Sequence, residues 1–116
     1  MSPYGRSLKA HWFQILLSLA DRDLHGSAIM EEVLERTDGE MKLWPGTLYG
    51  TLKQMTTKGL ISEIEAPDGA PSDRGKRRFY SIASEGRSVL RDEVDHLADL
   101  VRVARSKRVS DDFGTA

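Results

Sequence analysis

The chain has 116 residues and a mass of 13.0 kDa, which is enough for one small domain with a buried core but too little for a catalytic domain plus a regulatory one. Its 17 Lys and Arg residues against 18 Asp and Glu residues give a net charge of −1, which excludes a uniformly basic protein. Any nucleic-acid surface must therefore come from local clustering of charge. The lack of cysteine excludes disulfides, thiolate chemistry and Cys-ligated metals. The longest apolar run is residues 15–20, with Ser18 inside it, and the N-terminus has no signal-peptide pattern, so we expect a soluble, cytoplasmic protein without a membrane partner.

The spacing of apolar residues predicts two helices in the first third of the chain. The first, over residues 8–20, is apolar around so much of its circumference that it needs more than one neighbour, and a second copy of the chain can supply one. A polar connector over 21–24 leads to a second helix over 26–37, with Ile29 and Val33 on its buried face. Asp38-Gly39 ends this helix, because glycine readily takes the left-handed conformation that follows a helix.

The third helix has the clearest boundaries, from Pro45 to residue 58. Pro45 suits a first helical position because its missing N–H would have no partner there, and Gly59 stops the helix. Trp44 is predicted to pack at the junction between the second and third helices. At 100° per residue, the predicted buried side comprises Leu48, Leu52 and Met55, and the outward side comprises Gly46, Gly50, Lys53, Gln54 and Thr57.

The rest of the chain predicts a β-hairpin and a long last helix. Strands over 60–66 and 77–83 flank a loop over 66–75 that is rich in Pro, Gly, Asp and Ser. Ser84 is predicted to cap the last helix, whose apolar residues recur at spacings of four and three. The chain thus divides into a domain of helices and a hairpin over 1–83, a long last helix over 84–106 and a tail over 107–116 that is predicted to be disordered.

This order of elements is typical of a winged helix-turn-helix, so the predicted fold class is mainly α with a small β-hairpin plus a long C-terminal dimerisation helix. In that architecture the third helix enters a DNA major groove and the hairpin, or wing, follows the adjacent backbone. Gly46 and Gly50 let the helix backbone approach the groove wall, whereas a merely solvated helix more often carries Glu and Lys. The wing residues Arg74, Lys76 and Arg77 can neutralise phosphates. A two-fold dimer would place two such helices about 34–36 Å apart.

The stretch from Ile15 to Arg91 resembles PadR-type transcriptional regulators, a family of dimeric winged-helix DNA-binding proteins. The matching residues are His25-Gly26, Pro45-Gly46-Thr47-Leu48-Tyr49, Leu52, Gly59-Leu60-Ile61, Arg77-Arg78-Phe79-Tyr80-Ser81-Ile82 and Gly86. The resemblance implies a repressor that dimerises through its first and last helices, and control by a small effector or by association. The single helix after the wing is similar to the short subfamily.

These arguments together name two groups of candidate residues. The predicted DNA-contacting residues are His25, Gly46, Thr47, Tyr49, Gly50, Lys53, Gln54, Arg74, Lys76 and Arg77. The predicted dimer interface comprises Leu8, Trp12, Ile15, Leu90, Val94, Leu97, Val101 and Ala104. The predicted partners are double-stranded operator DNA, a second copy of the chain and a possible small-molecule effector.

Three of the singled-out side chains allow a second interpretation. Trp12 can line an effector cavity between subunits or simply form part of the dimer core. Tyr49 can donate a hydrogen bond to a phosphate or be partly buried with its hydroxyl exposed. Arg78 can bind phosphate or pair within the hairpin with Glu63 or Glu65.

The remaining alternatives concern two histidines and functions other than DNA binding. His25 can cap the second helix, contact phosphate or be a solvated loop residue. His96 with Asp92 and Asp99 lies on one helical flank, but such a stripe is far more often solvated than metal-bound. No nucleophile–base motif, phosphate-binding glycine loop or metalloprotease motif is present, so we expect no enzyme activity, no cofactor and no metal. The alternative functions are a winged-helix protein-interaction or small-molecule-sensing module without DNA binding, and a small-molecule carrier or enzyme built on the dimer interface.

Overall fold

The computed structural model describes residues 8–66 and 78–108. Its elements, in chain order, are α1 (Ala10–Ser18), β1 (Leu24–His25), α2 (Gly26–Arg36), α3 (Pro45–Thr57), β2 (Ile61–Ile64), β3 (Phe79–Ile82) and α4 (Ser84–Ser106). The protein is mainly helical with a small antiparallel sheet and a long last helix, as predicted. The predicted wing cations Arg74, Lys76 and Arg77, most of the predicted loop over 66–75 and most of the predicted tail lie outside the described residues.

Helix α1 is shorter than the sequence predicts because its last turn tightens. The Leu19 N–H bonds to the carbonyls of both Ile15 and Leu16, and the Ala20 N–H bonds to that of Leu17 at 3.2 Å. Such i to i+3 bonds mark the end of regular α-helix. Ile15, Leu16 and Leu19 are fully buried, so this apolar helix forms the centre of the protomer's own core.

Helix α2 begins and ends with specific caps. His25 is its N-cap residue, and its Nδ1 atom accepts a hydrogen bond from the Ala28 N–H at 3.2 Å. At the other end Asp38 takes the left-handed conformation with φ of 52°, while the Gly39 N–H donates to the Leu34 carbonyl at 2.8 Å. Asp38, rather than Gly39, is therefore the first left-handed residue of this C-cap.

Helix α3 has the predicted start at Pro45 and a complete Schellman ending. Gly59 has a φ of 77°, its N–H donates to Thr56, and the Leu60 N–H donates to the Met55 carbonyl at 3.0 Å. A positive φ strains most other residues, so Gly59 fixes where α3 stops. The inner side of α3 buries Leu48, Leu52 and Met55, together with Thr51.

The sheet has the strand order β1-β3-β2, with β3 antiparallel to both neighbours. The sequence predicts only a two-stranded hairpin, because β1 has two residues and no periodicity can reveal so short a strand. Leu24 pairs with Tyr80 and His25 pairs with Phe79 across β1 and β3. The predicted strands are also longer than β2 and β3. Since β3 is central, Phe79 and Tyr80 are both buried although their side chains point to opposite faces.

Helix α4 packs on the body only at its beginning. Gly86, Val89 and Leu90 are its buried residues, and the remaining turns run beyond the core. Ala83, not Ser84, is the N-cap residue, and it makes no side-chain cap hydrogen bond, so the predicted Ser84 cap is wrong. The Ala83 N–H donates to the Leu60 carbonyl at 2.9 Å, and a Cβ on residue 86 would collide with the same carbonyl oxygen. Glycine at this position therefore lets α4 start directly against the segment that follows α3.

Candidate nucleic-acid interface

The outward face of α3 is the candidate interface, and its exposure follows from the burial of the opposite face. Its exposed residues are Gly46, Thr47, Tyr49, Gly50, Lys53, Gln54, Thr56 and Thr57. Every α3 residue of the predicted DNA-contacting set is thus on the surface of the protomer. Leu48 and Leu52 are 0% exposed on the other side, so the core holds α3 in place while its outer face stays accessible.

This face is nearly bare around its two glycines. A Cβ added at Gly46 or Gly50 would meet no other heavy atom within 4 Å. Neither glycine is therefore required for packing inside the protomer, and both lower helix propensity relative to alanine. Two such residues on the exposed side of one helix leave room for another molecule to approach the backbone, flanked by the side chains of Thr47, Lys53 and Gln54.

Tyr49 connects α3 to the beginning of α2. Its side chain is 43% exposed, and its ring lies so close to Gly26 that an added Cβ there would be 2.7 Å from the ring carbon bearing the hydroxyl. The Tyr49 ring is therefore partly buried, because one of its sides packs against the backbone of α2. The Tyr49 hydroxyl lies nearer to Gly26 than that ring carbon does, so the group that would donate to a phosphate is itself packed against the start of α2.

His25 does not lie on the outward face of α3. It is half-buried, caps α2 through Nδ1, and packs edge-to-face on Phe79 with ring centroids 5.4 Å apart. The interpretation of His25 as a cap is confirmed and that of a solvated loop residue is wrong, because the ring is held between α2 and the sheet. Any phosphate contact by His25 would use the part of the ring that the sheet leaves uncovered.

The base of the hairpin contains an internal ion pair. The Arg78 Nε atom lies 3.5 Å from Glu63 Oε2, which supports the interpretation that Arg78 pairs within the hairpin. Both side chains remain about half exposed or more, so this pair contributes little to stability. Burial raises the pKa of the neighbouring Tyr80 hydroxyl, and the charge of Glu63 raises it further against the opposing effect of Arg78. Tyr80 therefore stays protonated in the sheet.

A polar cluster links α2 to α1. Arg36 donates to Gln14 Oε1, to the Gln14 carbonyl and to Ser18 Oγ, each at 2.9 Å, and it also bonds Glu32 Oε1 at 3.1 Å. Arg22 bonds the other oxygen of the Glu32 carboxylate. Partial burial raises the pKa of Glu32, but hydrogen bonds from Arg22, Ser18 and Arg36 outweigh it and leave the pKa below its ordinary value.

A cavity of about 500 Å³ lies between the N-terminal end of α1 and the C-terminal half of α3. Its lining residues are Leu8, Lys9, Trp12, Lys53, Gln54, Thr57 and Lys58. Lys53 and Gln54 thus belong both to the outward face of α3 and to the cavity wall. Trp12 is 6% exposed and forms an apolar part of the lining, but this cavity lies within one protomer and not between subunits as in the predicted alternative. Sequence reasoning missed this cavity because it joins residues about forty positions apart.

The predicted dimer interface divides into two groups. Val94, Leu97 and Val101 are 38–43% exposed on α4, and Leu100 and Val103 add further exposed apolar surface that the heptad spacing did not include. The α4 stripe, as it is called below, consists of Val94, Leu97, Leu100 and Val101, which lie on one side of the helix beyond the turns that pack on the body, whereas Val103 lies on another side. Ala104 and Leu8 are half-buried.

The other three predicted interface residues are mostly or wholly enclosed by the protomer. Ile15 has 0% exposure, so it has no surface with which to contact a second copy. The prediction that Ile15 lies in the dimer interface is therefore wrong. Trp12 and Leu90 are 6% and 8% exposed, and they belong to the protomer's core cluster. Leu90 marks the point on α4 where core packing gives way to the α4 stripe.

Trp44 is the largest departure from the sequence-based expectation. It is 61% exposed instead of packing at the junction of α2 and α3, and the Nζ atom of Lys42 lies 4.2 Å from the centroid of one of its rings. The core position at this junction is taken by Leu43, which is 6% exposed. When an aromatic residue and an aliphatic one precede a helix, the sequence alone does not show which of the two side chains packs into the core.

The described part of the chain has neither a metal-binding cluster nor a membrane-spanning helix. Over residues 8–66 and 78–108, no three His, Asp or Glu side chains are grouped so as to hold a metal ion, and this includes Asp92, His96 and Asp99. Within those same ranges, no helix has the length and apolar character needed to cross a membrane.

Comparisons with known proteins agree with this geometry. A model of the transcriptional regulator PadR-like family matches residues 15–92. The transcriptional regulator Rv3488 of Mycobacterium tuberculosis is 33% identical over 89 residues, which cover 76% of this chain and 76% of that protein. A PadR family transcription regulator from Clostridium difficile has a similar structure, with a TM-score of 0.71, 28% identity, and coverage of 84% of this chain and 97% of that one. Bacillus subtilis PadR, solved in complex with operator DNA, shares the fold at 21% identity and a TM-score of 0.62, over 73% of this chain and 46% of that one. The likeness confirms the predicted winged helix-turn-helix class.

Proposed function

Because this chain belongs to the PadR-like family of transcriptional regulators, we propose that it binds operator DNA sequence-specifically as a homodimer and represses transcription. In this proposal α3 enters the major groove, where Thr47, Lys53 and Gln54 reach base edges or phosphates. The wing residues Arg74, Lys76 and Arg77 bind the adjacent phosphate backbone. The role is regulatory, and no catalytic step is assigned to the chain.

One observation carries the DNA-binding proposal: the bare outward face of α3. Gly46 and Gly50 have no neighbours within 4 Å of an added Cβ, while Leu48 and Leu52 on the opposite side are fully buried. A helix that is anchored along its inner side and open along its outer side can insert into a groove without rearrangement. The small residues determine how close the backbone approaches.

The α4 stripe supports the homodimer. Leu97, Leu100 and Val101 are exposed on a helix whose first turns are already packed, so their apolar surface is left for another chain. A two-fold axis through paired α4 helices makes the same surface complementary to itself. It also provides two copies of α3, which a palindromic operator requires.

The decisive experiment measures binding of the purified full chain to the DNA upstream of its own gene. We expect fluorescence anisotropy to give tighter binding to this duplex than to a scrambled one, and the affinity to fall steeply as salt rises, because phosphate neutralisation releases counterions. Lys53→Ala should weaken operator binding by about tenfold without unfolding the protein. Lys107→Ala removes an equal charge from the C-terminal end of α4 and is the matched control.

The outcomes separate the proposal from its rivals. Equal midpoints for Lys53→Ala and Lys107→Ala would remove Lys53 from the interface. Failure to prefer any duplex, at low or moderate salt, would favour the winged-helix protein-interaction module. A promoter–reporter fusion distinguishes repression from activation, since loss of a repressor raises reporter expression.

The cavity between α1 and α3 favours a second function, the binding of a small effector. Its volume of about 500 Å³ lies in the range of small-molecule sites, and Trp12 supplies an apolar wall beside the ammonium groups of Lys9 and Lys53. These groups suit an amphipathic anion. Anilinonaphthalene sulfonate is a suitable probe: its fluorescence should rise with the parent protein and much less with Thr57→Trp, which fills the cavity. Equal fluorescence for both proteins would argue against this site.

A further inference from the structure

Trp44 and Lys42 form an exposed aromatic–cation pair just before α3. At 61%, Trp44 is the most exposed of the large hydrophobic side chains in the described part of the chain. The Lys42 Nζ atom lies 4.2 Å from the centroid of the indole ring system, within the range of a cation–π contact. Both side chains are on the surface, so the contact contributes to their orientation and not to the core.

The backbone of Trp44 is fixed although its side chain is exposed. Trp44 is the N-cap residue of α3, and its carbonyl accepts the first intrahelical hydrogen bond, from the Leu48 N–H at 2.8 Å. Pro45 restricts the conformation of the residue before it. The indole therefore extends from a rigid position at the start of α3, and the exposed residues that follow it are Pro45 and then those of the bare face, beginning with Gly46.

The composition of the pair favours a polyanion over a second protein chain. Interface cores between proteins are depleted in lysine, so an indole with a lysine ammonium beside it is poorly suited to such a core. On DNA the sugar edge gives apolar surface for an indole while the phosphate beside it gives a partner for an ammonium group. An aromatic side chain and a cation held 4.2 Å apart match that alternation.

We propose that Trp44 and Lys42 make an additional DNA contact beside the major-groove contacts of α3, with the indole against the deoxyribose edge and the Lys42 ammonium on the neighbouring phosphate. This contact rests on the proposed operator binding. It reads no base, so it strengthens binding to specific and non-specific duplexes alike. The exposed indole is in this sense part of the positioning surface and not of the base readout.

The test compares Trp44→Ala and Lys42→Ala with the parent and with Lys53→Ala, using anisotropy on the operator and on a scrambled duplex. We expect Trp44→Ala to lower both affinities by about tenfold, with an unchanged dependence on salt. Lys42→Ala should lower both affinities and reduce the slope of log affinity against log salt by about one. Circular dichroism and light scattering should match the parent for both variants, because neither side chain is buried.

A fluorescence measurement gives an independent readout. Trp12 is buried, so in the parent the acrylamide-quenchable emission comes from Trp44, and Trp44→Phe should lose it. Operator DNA should protect this emission from acrylamide, and the protection should reach its maximum at one equivalent of operator binding sites. Protection in the free protein would mean that a second copy covers the indole, which would overturn the inference.

The two proposals fail in distinguishable ways. If Trp44→Ala and Lys42→Ala bind as the parent does while Lys53→Ala binds weakly, the extra contact is wrong and operator binding stands. If the parent itself prefers no duplex, operator binding fails and the contact fails with it. A loss confined to the operator, with scrambled DNA unaffected, would assign Trp44 to base readout and contradict the sugar-edge contact.

Discussion

Helices α3 and α4 both have a buried side and an exposed side, but they complete their packing in different ways. In α3 the inner side is buried along its whole length by Leu48, Leu52 and Met55, and the outer side is polar or bare. In α4 only the first turns are buried, and the exposed surface of the remaining turns includes the apolar α4 stripe. An exposed polar surface on a helix whose other side is fully buried suits a polar partner. An exposed apolar surface suits a partner that buries it.

The largest effect expected from this comparison concerns the inner side of α3. Leu52 is 0% exposed, so Leu52→Ala should lower the free energy of unfolding by about 2–5 kcal/mol through lost burial and a residual cavity. Thr57→Ala, on the exposed side of the same helix, should change it by less than about 0.5 kcal/mol. Urea denaturation followed by circular dichroism measures both. Similar midpoints for the two variants would contradict the anchored inner side.

The next effect concerns the α4 stripe. Leu97→Lys should leave the protomer folded, because Leu97 is already 38% exposed, but it should abolish the dimer by placing a charge in an apolar interface. Asp95→Lys introduces the same side chain on the opposite side of α4 and is the control. Light scattering should give the monomer mass for the first variant and twice that mass for the second. A dimeric Leu97→Lys protein would exclude the stripe from the interface.

A third substitution separates stability from function on α3. Gly50→Gln should raise the free energy of unfolding by about 0.5–1 kcal/mol, because glutamine is the better helix former and has open space to occupy. Operator affinity should nevertheless fall, since the longer side chain keeps the backbone from the groove. Gly50→Ala should stabilise similarly and bind with intermediate affinity. Undiminished binding across this series would show that the bare face is not where DNA approaches.

The smallest effect is a pH dependence in the polar cluster between α1 and α2. The pKa of Glu32 is below its ordinary value of 4.5, so the folded state favours the charged carboxylate more than the unfolded state does. This contribution is present above the unfolded pKa and is lost as pH falls through the lower, folded pKa. Glu32→Gln should therefore lose less stability than the parent between about pH 5 and 3, by less than about 1 kcal/mol. Urea denaturation across this range tests it, with Glu31→Gln as control, and identical pH profiles for Glu32→Gln and the parent would contradict the cluster.

The sequence predicts α3 well because local chemistry determines both of its ends. Pro45 has no N–H to pair, and Gly59 takes the positive φ that the Schellman ending requires. Between them, a rotation of 100° per residue separates the buried residues from the exposed ones. The two helix ends and this rotation are enough to predict which residues of α3 belong to the candidate interface.

The features that the sequence did not predict depend on contacts between distant segments. Strand β1 exists because Leu24 and His25 pair with β3, more than fifty residues later. The choice of Leu43 over Trp44 for the core depends on the shape of the space between helices. The apolar circumference of α1 predicts a subunit interface at Ile15, yet α2 and α4 of the same protomer pack against α1 and Ile15 lies in the core.

The Leu60 carbonyl, which bonds Ala83 and touches Gly86, has a consequence for the assembled regulator. It joins the end of α3 to the start of α4 by direct backbone contact. In a two-fold assembly, the angle at which the two copies of α4 cross would then set the spacing between operator half-sites. Substitutions along α4 would change which operators are accepted without altering a single residue that touches a base.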